Sequence, residues 1–229
     1  MTGPDDFPDL TILRPACPDL FGLRVLLADV STVSPDFIQR ALAAVPAHRR
    51  QKALQLRFDS DRRLSLAAAL LFRQLLEELG LPEPTQPPET GPRGKPFYSS
   101  LPRLHYNLSH SGSIAMCALA RVPLGCDIQE HRALRQDLAD RFFSHAEAAA
   151  LRSAKTDRVS LQYRIWALKE SYIKATGEGL YRSLDSFSIL TDRPTVILEE
   201  DPEGFLFLEP AAPKNYACAV CLNKRTGDR

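Results

Sequence analysis

The chain has 229 residues, 44% hydrophobic and 25% charged, the balance of a globular protein long enough to bury a core. A formal net charge of +1 excludes a global field that would draw it to nucleic acid or an acidic membrane, so any anion site must come from local clustering. No apolar run reaches the roughly 18 residues of a membrane span, and the acidic, proline-broken start MTGPDDFPDL lacks the basic opening and apolar centre of a secretory signal.

In chain order, the first strong element is a helix predicted over 61–79. Leu64, Ala67, Leu71, Leu75 and Leu79 recur at helical spacing, and Gly80 is a natural stop. Arg57, Arg62 and Arg63 precede or open it. Such a run is commonly a solvated face, yet a helix start also supplies N–H donors that suit a phosphate. The stretch 81–102 is too rich in Pro, Gly and Ser for a helix or a central strand. Strands are predicted at 104–108, 113–120 and 124–128. Ser144-His-Ala-Glu147 has the spacing of a capping box and starts a shorter helix. A second long helix covers 157–176, closed by Gly177. Strands follow at 187–190, 195–199, 204–208 and 216–222, with 200–204 read as a hairpin turn.

Two further patterns bear on the class. The five cysteines are scattered; Cys218 and Cys221 form a Cys-x-x-Cys pair inside the apolar run NYACAVCL, with no second pair and no nearby histidine, so they read as reduced core residues of a cytoplasmic protein. Each long helix is followed by a strand of small residues, SIAMCALA and then YACAVCL about a hundred residues later. The echo points to two similar α+β halves, 1–123 and 124–229.

Four segments carry chemistry. In Trp166-Ala-Leu-Lys169-Glu170-Ser171-Tyr-Ile-Lys174, residues 166, 170 and 174 share one helix face while Lys169 points away. The plain reading is a solvated ion pair; the alternative is one oxygen ligand for a hard cation and one point charge for a phosphate. In Gly125-Cys-Asp127-Ile-Gln129-Glu130, Asp127 and Gln129 point to the same side of a strand. Asp127 is either a turn residue or, beside Glu170, half of a carboxylate pair that needs a cation such as Mg²⁺ between its members. Gly94-Lys95-Pro96 and Tyr106-Asn107-Leu-Ser109-His110-Ser111-Gly112 offer hydroxyls, an imidazole and backbone donors suited to phosphate, or else form ordinary turns.

Taken together, in this order and at this spacing, the four segments resemble the 4'-phosphopantetheinyl transferases of the Sfp type over nearly the whole chain. The resemblance implies an α+β fold of two pseudo-symmetric halves, each a small antiparallel sheet packed with a long helix, with the active site in the cleft between them. It implies transfer of phosphopantetheine from coenzyme A to a serine of an apo acyl or peptidyl carrier protein, with Mg²⁺ as cofactor. Asp127 and Glu170 would be metal ligands. Lys174, Ser109 and His110 would hold phosphates, with His110 near the 3'-phosphate, Lys95 beside the adenine, and Arg62 or Arg63, with Ser65, also near the 3'-phosphate. Glu170, or a metal-bound water that it orients, would act as the base, Lys169 only if its pKa were depressed. Many bacterial members carry a third acidic residue where this chain has Gln129, so water or the Gln129 amide oxygen is expected to complete the metal shell. The stretch 131–143, with Arg132, Arg135, Arg141, Phe142 and Phe143, is the expected docking surface for the carrier. A cytoplasmic monomer with no nucleic-acid or membrane partner is expected. The rival readings are a non-catalytic coenzyme A or carrier-binding protein and a Mg²⁺-dependent pyrophosphatase.

Overall fold

The computed structural model describes residues 7–133, 136–192 and 195–226. The order of elements is β1 (Thr11–Leu13), β2 (Arg24–Asp29), α1 (Phe37–Ala44), α2 (Ala47–Gln55), α3 (Asp59–Glu78), β3 (Glu89–Thr90), β4 (Pro96–Phe97), β5 (His105–Ser111), β6 (Ile114–Ala120) and β7 (Leu124–Glu130). Then come α4 (Gln136–Phe142), α5 (His145–Ser153), α6 (Arg158–Thr176), β8 (Ile189–Leu190), β9 (Ile197–Leu198), β10 (Phe205–Leu208) and β11 (Tyr216–Asn223).

Two antiparallel sheets organise the molecule, in strand order β1-β2-β6-β5 and β10-β11-β7. Side-chain alternation gives each sheet two apolar faces. In the first sheet, Leu26, Ala28, Ala115, Cys117 and Leu119 pack against α3, together with α1 and α2. The opposite face, with Val25, Leu27, Met116 and Ala118, meets Cys126, Ile128, Cys218 and Val220 of the second sheet. The far face of the second sheet, with Ala217, Ala219 and Cys221, packs on α6. The layers therefore run helix, sheet, sheet, helix, and the two lobes meet through the inner faces of their sheets with a cleft along the seam.

The long helices are bounded for local reasons. Asp59 and Asp61 place negative charge in the first turn of α3, where the helix dipole favours it. Residues 66–72 of α3 are all buried, because α1 and α2 cover the side turned away from the sheet. Helix α6 is capped by the Asp157 side chain, which accepts from the Ser160 N–H, and ends at Gly177 in the left-handed region at φ +72°. It too is buried nearly all round, between the second sheet, α5 and β8. Helix α5 starts with both reciprocal bonds of the Ser144–Glu147 capping box.

The predicted elements are found with end shifts, and β5 and β7 run further than expected. The turn at 200–204 forms, with Asp201 accepting from the Gly204 N–H, but it joins no hairpin. The two-residue strand β9 pairs with β8, whereas β10 lies along the long apolar β11. Cys117, Cys126, Cys218 and Cys221 are buried free thiols and Cys17 is half-buried. Among the described residues, no helix is long and apolar enough to cross a membrane.

Candidate active site

Strand β7 and helix α6 touch more closely than a strand and a helix ordinarily do, and Gly125 is the reason. A Cβ at Gly125 would lie 2.1 Å from the Ser171 carbonyl oxygen and 2.4 Å from the Ala175 nitrogen. With glycine on the strand and Ser171 and Ala175 on the helix, the two backbones come together. The next residue on that face of β7 is Asp127, and the long residues of the matching helix face, Glu170 and Lys174, are thereby brought over it.

Asp127 is 2% exposed and its carboxylate is fully engaged. Oδ1 accepts from Lys174 Nζ at 2.5 Å and from Ser109 Oγ at 2.8 Å, and Oδ2 accepts from Gln129 Nε2 at 2.8 Å. Lys174 also donates to the Cys126 carbonyl at 3.1 Å and lies 3.3 Å from Ser109 Oγ. Burial works against the Lys174 charge, but the Asp127 carboxylate outweighs it and holds the ammonium above its ordinary pKa. Burial raises the Glu170 pKa, the charge of Asp127 raises it further, and Lys174 opposes the shift. The two carboxylates thus feel one another across a shared space. Among the described residues no group of three or more His, Cys, Asp or Glu side chains gathers as a metal site; this centre has two carboxylates and the neutral Gln129 amide. As placed, that amide turns an N–H, not its oxygen, toward Asp127.

His110 stands on the other face of β5 from Ser109, toward the first turn of α3. Burial and then the charge of Lys174 lower its pKa, Asp61 raises it and Lys52 lowers it, so these groups share one neighbourhood. Arg62 donates to Asp59 at 2.6 Å, and the Nε atoms of Arg62 and Arg63 are buried without a partner among the described residues. Ser65 is half-buried one turn further along α3. Arg57, by contrast, lies over the Phe58 ring at 5.1 Å. Lys52 is a further cation here, and its signal in the sequence is the basic run His-Arg-Arg-Gln-Lys of α2.

Several of the expected residues are engaged within the protein. Lys169 is 0% exposed. Its ammonium donates to both oxygens of Glu147 at 2.7 and 2.6 Å and to the Phe187 carbonyl at 2.6 Å. Burial does lower its pKa, with Glu147 opposing, but every donor faces a fixed acceptor inside the second lobe. Lys95 lines the cavities beside the 91–97 loop, and its Nζ donates to the carbonyls of Leu124 and Ala175 at 2.8 and 3.0 Å, tying the β3–β4 loop to the start of β7 and the end of α6. Burial pushes its pKa down to about 8. Ser109 is buried, its hydroxyl spent on Asp127 and the Ile128 N–H. In the expected docking stretch, Leu134 and Arg135 lie outside the described residues. Phe143 is core, Phe142 packs edge-on against Trp166 at 5.3 Å, and Arg132 and Arg141 are exposed.

Two cavities flank the Asp127–Glu170–Lys174 centre. One, of about 160 Å³, is lined by Gly94, Asn107, Lys174 and Gly177; the other, of about 380 Å³, by Ser111, Gln129, Tyr163 and Trp166. A larger cavity of about 540 Å³ opens beyond the 91–97 loop, between Phe97, Tyr106, Pro123 and Thr176. An extended anionic ligand has room to follow the seam past Lys174.

Known proteins share this sequence pattern. The model of the 4'-phosphopantetheinyl transferase superfamily matches residues 123–221, and that of the 4'-phosphopantetheinyl transferase N-terminal region matches residues 32–121. A 4'-phosphopantetheinyl transferase of Bacillus subtilis is 34% identical over 195 residues, covering 80% of this chain and 84% of that protein. The transferase psf-1 of Bacillus pumilus is 33% identical, covering 82% of each. The transferase Sfp of Bacillus subtilis strain 168 is 32% identical, covering 72% of this chain and 75% of that one. With the two-lobed fold and the paired carboxylates in its cleft, these likenesses establish that the chain belongs to the 4'-phosphopantetheinyl transferase superfamily.

Proposed function

We propose that the chain is an Sfp-type transferase that moves the 4'-phosphopantetheine group of coenzyme A onto a serine of an apo carrier protein. The observation that carries this reading is the meeting of Asp127, Glu170 and Lys174, from two elements, beside cavities that run along the seam of a chain in this family. The halves are 1–123 and 124–229, a division supported by the two family models, which meet between residues 121 and 123.

The donor set fits Mg²⁺, which takes one or two carboxylates and fills its shell with phosphate oxygens and water. Asp127 and Glu170 would hold it, with water or a turned Gln129 amide alongside. When bound, the ion supplies neutralisation of the pyrophosphate and of the departing phosphate oxygen. The chain's own groups do the rest. Lys174, on a long flexible stem, exchanges its contact with Asp127 for the pyrophosphate. His110, with Arg62, Arg63 and Ser65, faces the 3'-phosphate at the start of α3. Glu170, directly or through a water it orients, takes the proton of the carrier serine. The serine oxygen then bonds to the β-phosphorus, the bond from that phosphorus to the bridging oxygen breaks, and 3',5'-ADP leaves with the electron pair. Lys169 has no part in these steps. Arg132 and Arg141 offer exposed cations to a carrier surface.

Calorimetric titration of coenzyme A and dephospho-coenzyme A tests the anion assignments. Lys174→Ala is expected to weaken both ligands about tenfold or more. His110→Ala is expected to weaken coenzyme A while leaving dephospho-coenzyme A nearly unchanged. Equal losses with both ligands in His110→Ala would place that histidine elsewhere.

A further inference from the structure

Among the described residues, strand β7 has a backbone partner on one edge only, β11. Its other edge lies against the inner face of β5, and the donors along that edge are answered by side chains. Asn107 Oδ1 accepts from the Cys126 N–H at 2.9 Å, Ser109 Oγ from the Ile128 N–H at 3.4 Å, and Ser111 Oγ from the Glu130 N–H at 3.0 Å. Each rung joins residues 19 apart in sequence, so the strands run in the same direction in fixed register. The Cys126 thiol adds a contact to the Asn107 carbonyl at 3.3 Å. At the far end of the seam the Ser113 N–H donates to the Tyr216 hydroxyl oxygen. There Gly112 sits at φ +56°, and a Cβ would lie 2.3 Å from that oxygen.

A free strand edge next to a cleft ordinarily exposes donors that must be paired or covered. Here the Asn-x-Ser-x-Ser alternation on one face of β5 supplies an acceptor at every second residue, matching the two-residue repeat of edge donors on β7. Asp127 lies between the first and second rungs, and its carboxylate shares Ser109 Oγ with the ladder.

We propose that Asn107, Ser109 and Ser111 form a side-chain ladder that replaces backbone acceptors along the free edge of β7, and that Asn107 and Ser111 are thereby positioning residues for Asp127. The ladder stands on hydrogen-bond geometry alone. Its effect on Asp127 as a metal-holding carboxylate rests on the transferase reading.

The test pairs amide hydrogen exchange of the ligand-free full chain with the Mg²⁺ dependence of transfer. Asn107→Leu should speed exchange at the Cys126 amide, and Ser111→Ala at the Glu130 amide, each by about tenfold or more. The amides of Asp127 and Gln129, which face β11, should keep their protection. Ser111→Thr, which retains the hydroxyl, should restore the Glu130 amide, and keeps the test open should Asn107→Leu fail to fold. In transfer assays the Mg²⁺ concentration for half-maximal rate should rise about 10- to 100-fold in Asn107→Leu and Ser111→Ala, as when a group supporting a metal ligand is lost, and return to normal in Ser111→Thr. Unchanged exchange in the variants overturns the ladder. Faster exchange with an unchanged Mg²⁺ requirement overturns the positioning role. A folded wild-type protein that transfers nothing overturns the transferase reading and the positioning role with it, while exchange alone still decides the ladder.

Discussion

Lys169 and Lys174 sit on the same helix and have opposite surroundings. Lys174 reaches the seam and meets Asp127; Lys169 is enclosed with Glu147, whose oxygens also accept from the N–H groups of Ser144 and Ile189. The helical spacing of Trp166, Glu170 and Lys174 was enough to read their common face from sequence, because that face depends only on the 3.6-residue repeat. The environment of Lys169 was not, because its partner belongs to another helix and its carbonyl acceptor, Phe187, to a later loop. The pairing predicts a stability role. Lys169→Met leaves Glu147 buried and uncompensated, and should cost about 3–5 kcal/mol. Replacing both members, as Lys169→Met with Glu147→Leu, should recover part of that loss. Urea unfolding of the three proteins checks this; a loss below about 1 kcal/mol in the single variant would contradict it. Gln129 shows the same limit in another form. Its place as a neutral residue on the Asp127 face of β7 is plain from the two-residue repeat of a strand, but the turning of its amide N–H to Asp127 follows only from the side chains around it.

At the level of elements, the contact between β7 and α6 makes the site, and it depends on small residues. Gly125→Ala would push a methyl group into backbone atoms of α6, which cannot move aside as a side-chain tip can. The expected outcome is a stability loss of about 1–3 kcal/mol or more and a fall in transfer, since Asp127 would be displaced from Lys174. A variant with unchanged melting temperature and turnover would show that the close approach is not what sets the site. The elements legible in the sequence are those with long, regular patterns: α3, α6, β6 and β11, and α5 through its capping box. The region 7–56 carries no long regular pattern. Its central strand β2, Arg-Val-Leu-Leu-Ala-Asp, is a short continuous apolar run that periodicity alone cannot tell from a buried helix. Helices α1 and α2 are only 8 and 9 residues long, too short for a repeating period to stand out, and α2 is largely polar with Ala53 its one buried residue.

For the molecule as a whole, the repeated helix-then-strand pattern gave away the two lobes, because each lobe buries a long helix on a strand of small residues. It did not reveal that the sheets pack through their inner faces, nor that β5 and β7 run side by side, since both depend on contacts between distant parts of the chain. That seam gathers Asp127, Glu170, Lys174 and the side-chain ladder into one line, with cavities on either side for an extended anionic substrate. The central claim is that this line transfers phosphopantetheine, and intact-mass spectrometry of apo carrier proteins tests it most directly. A panel of carrier domains is incubated with coenzyme A, Mg²⁺ and either the wild-type chain or the folded Asp127→Ala variant. The account predicts that at least one carrier gains the mass of a single phosphopantetheine group with the wild type and none does so with the variant; no gain on any carrier with folded wild-type protein, or an equal gain with Asp127→Ala, would contradict it.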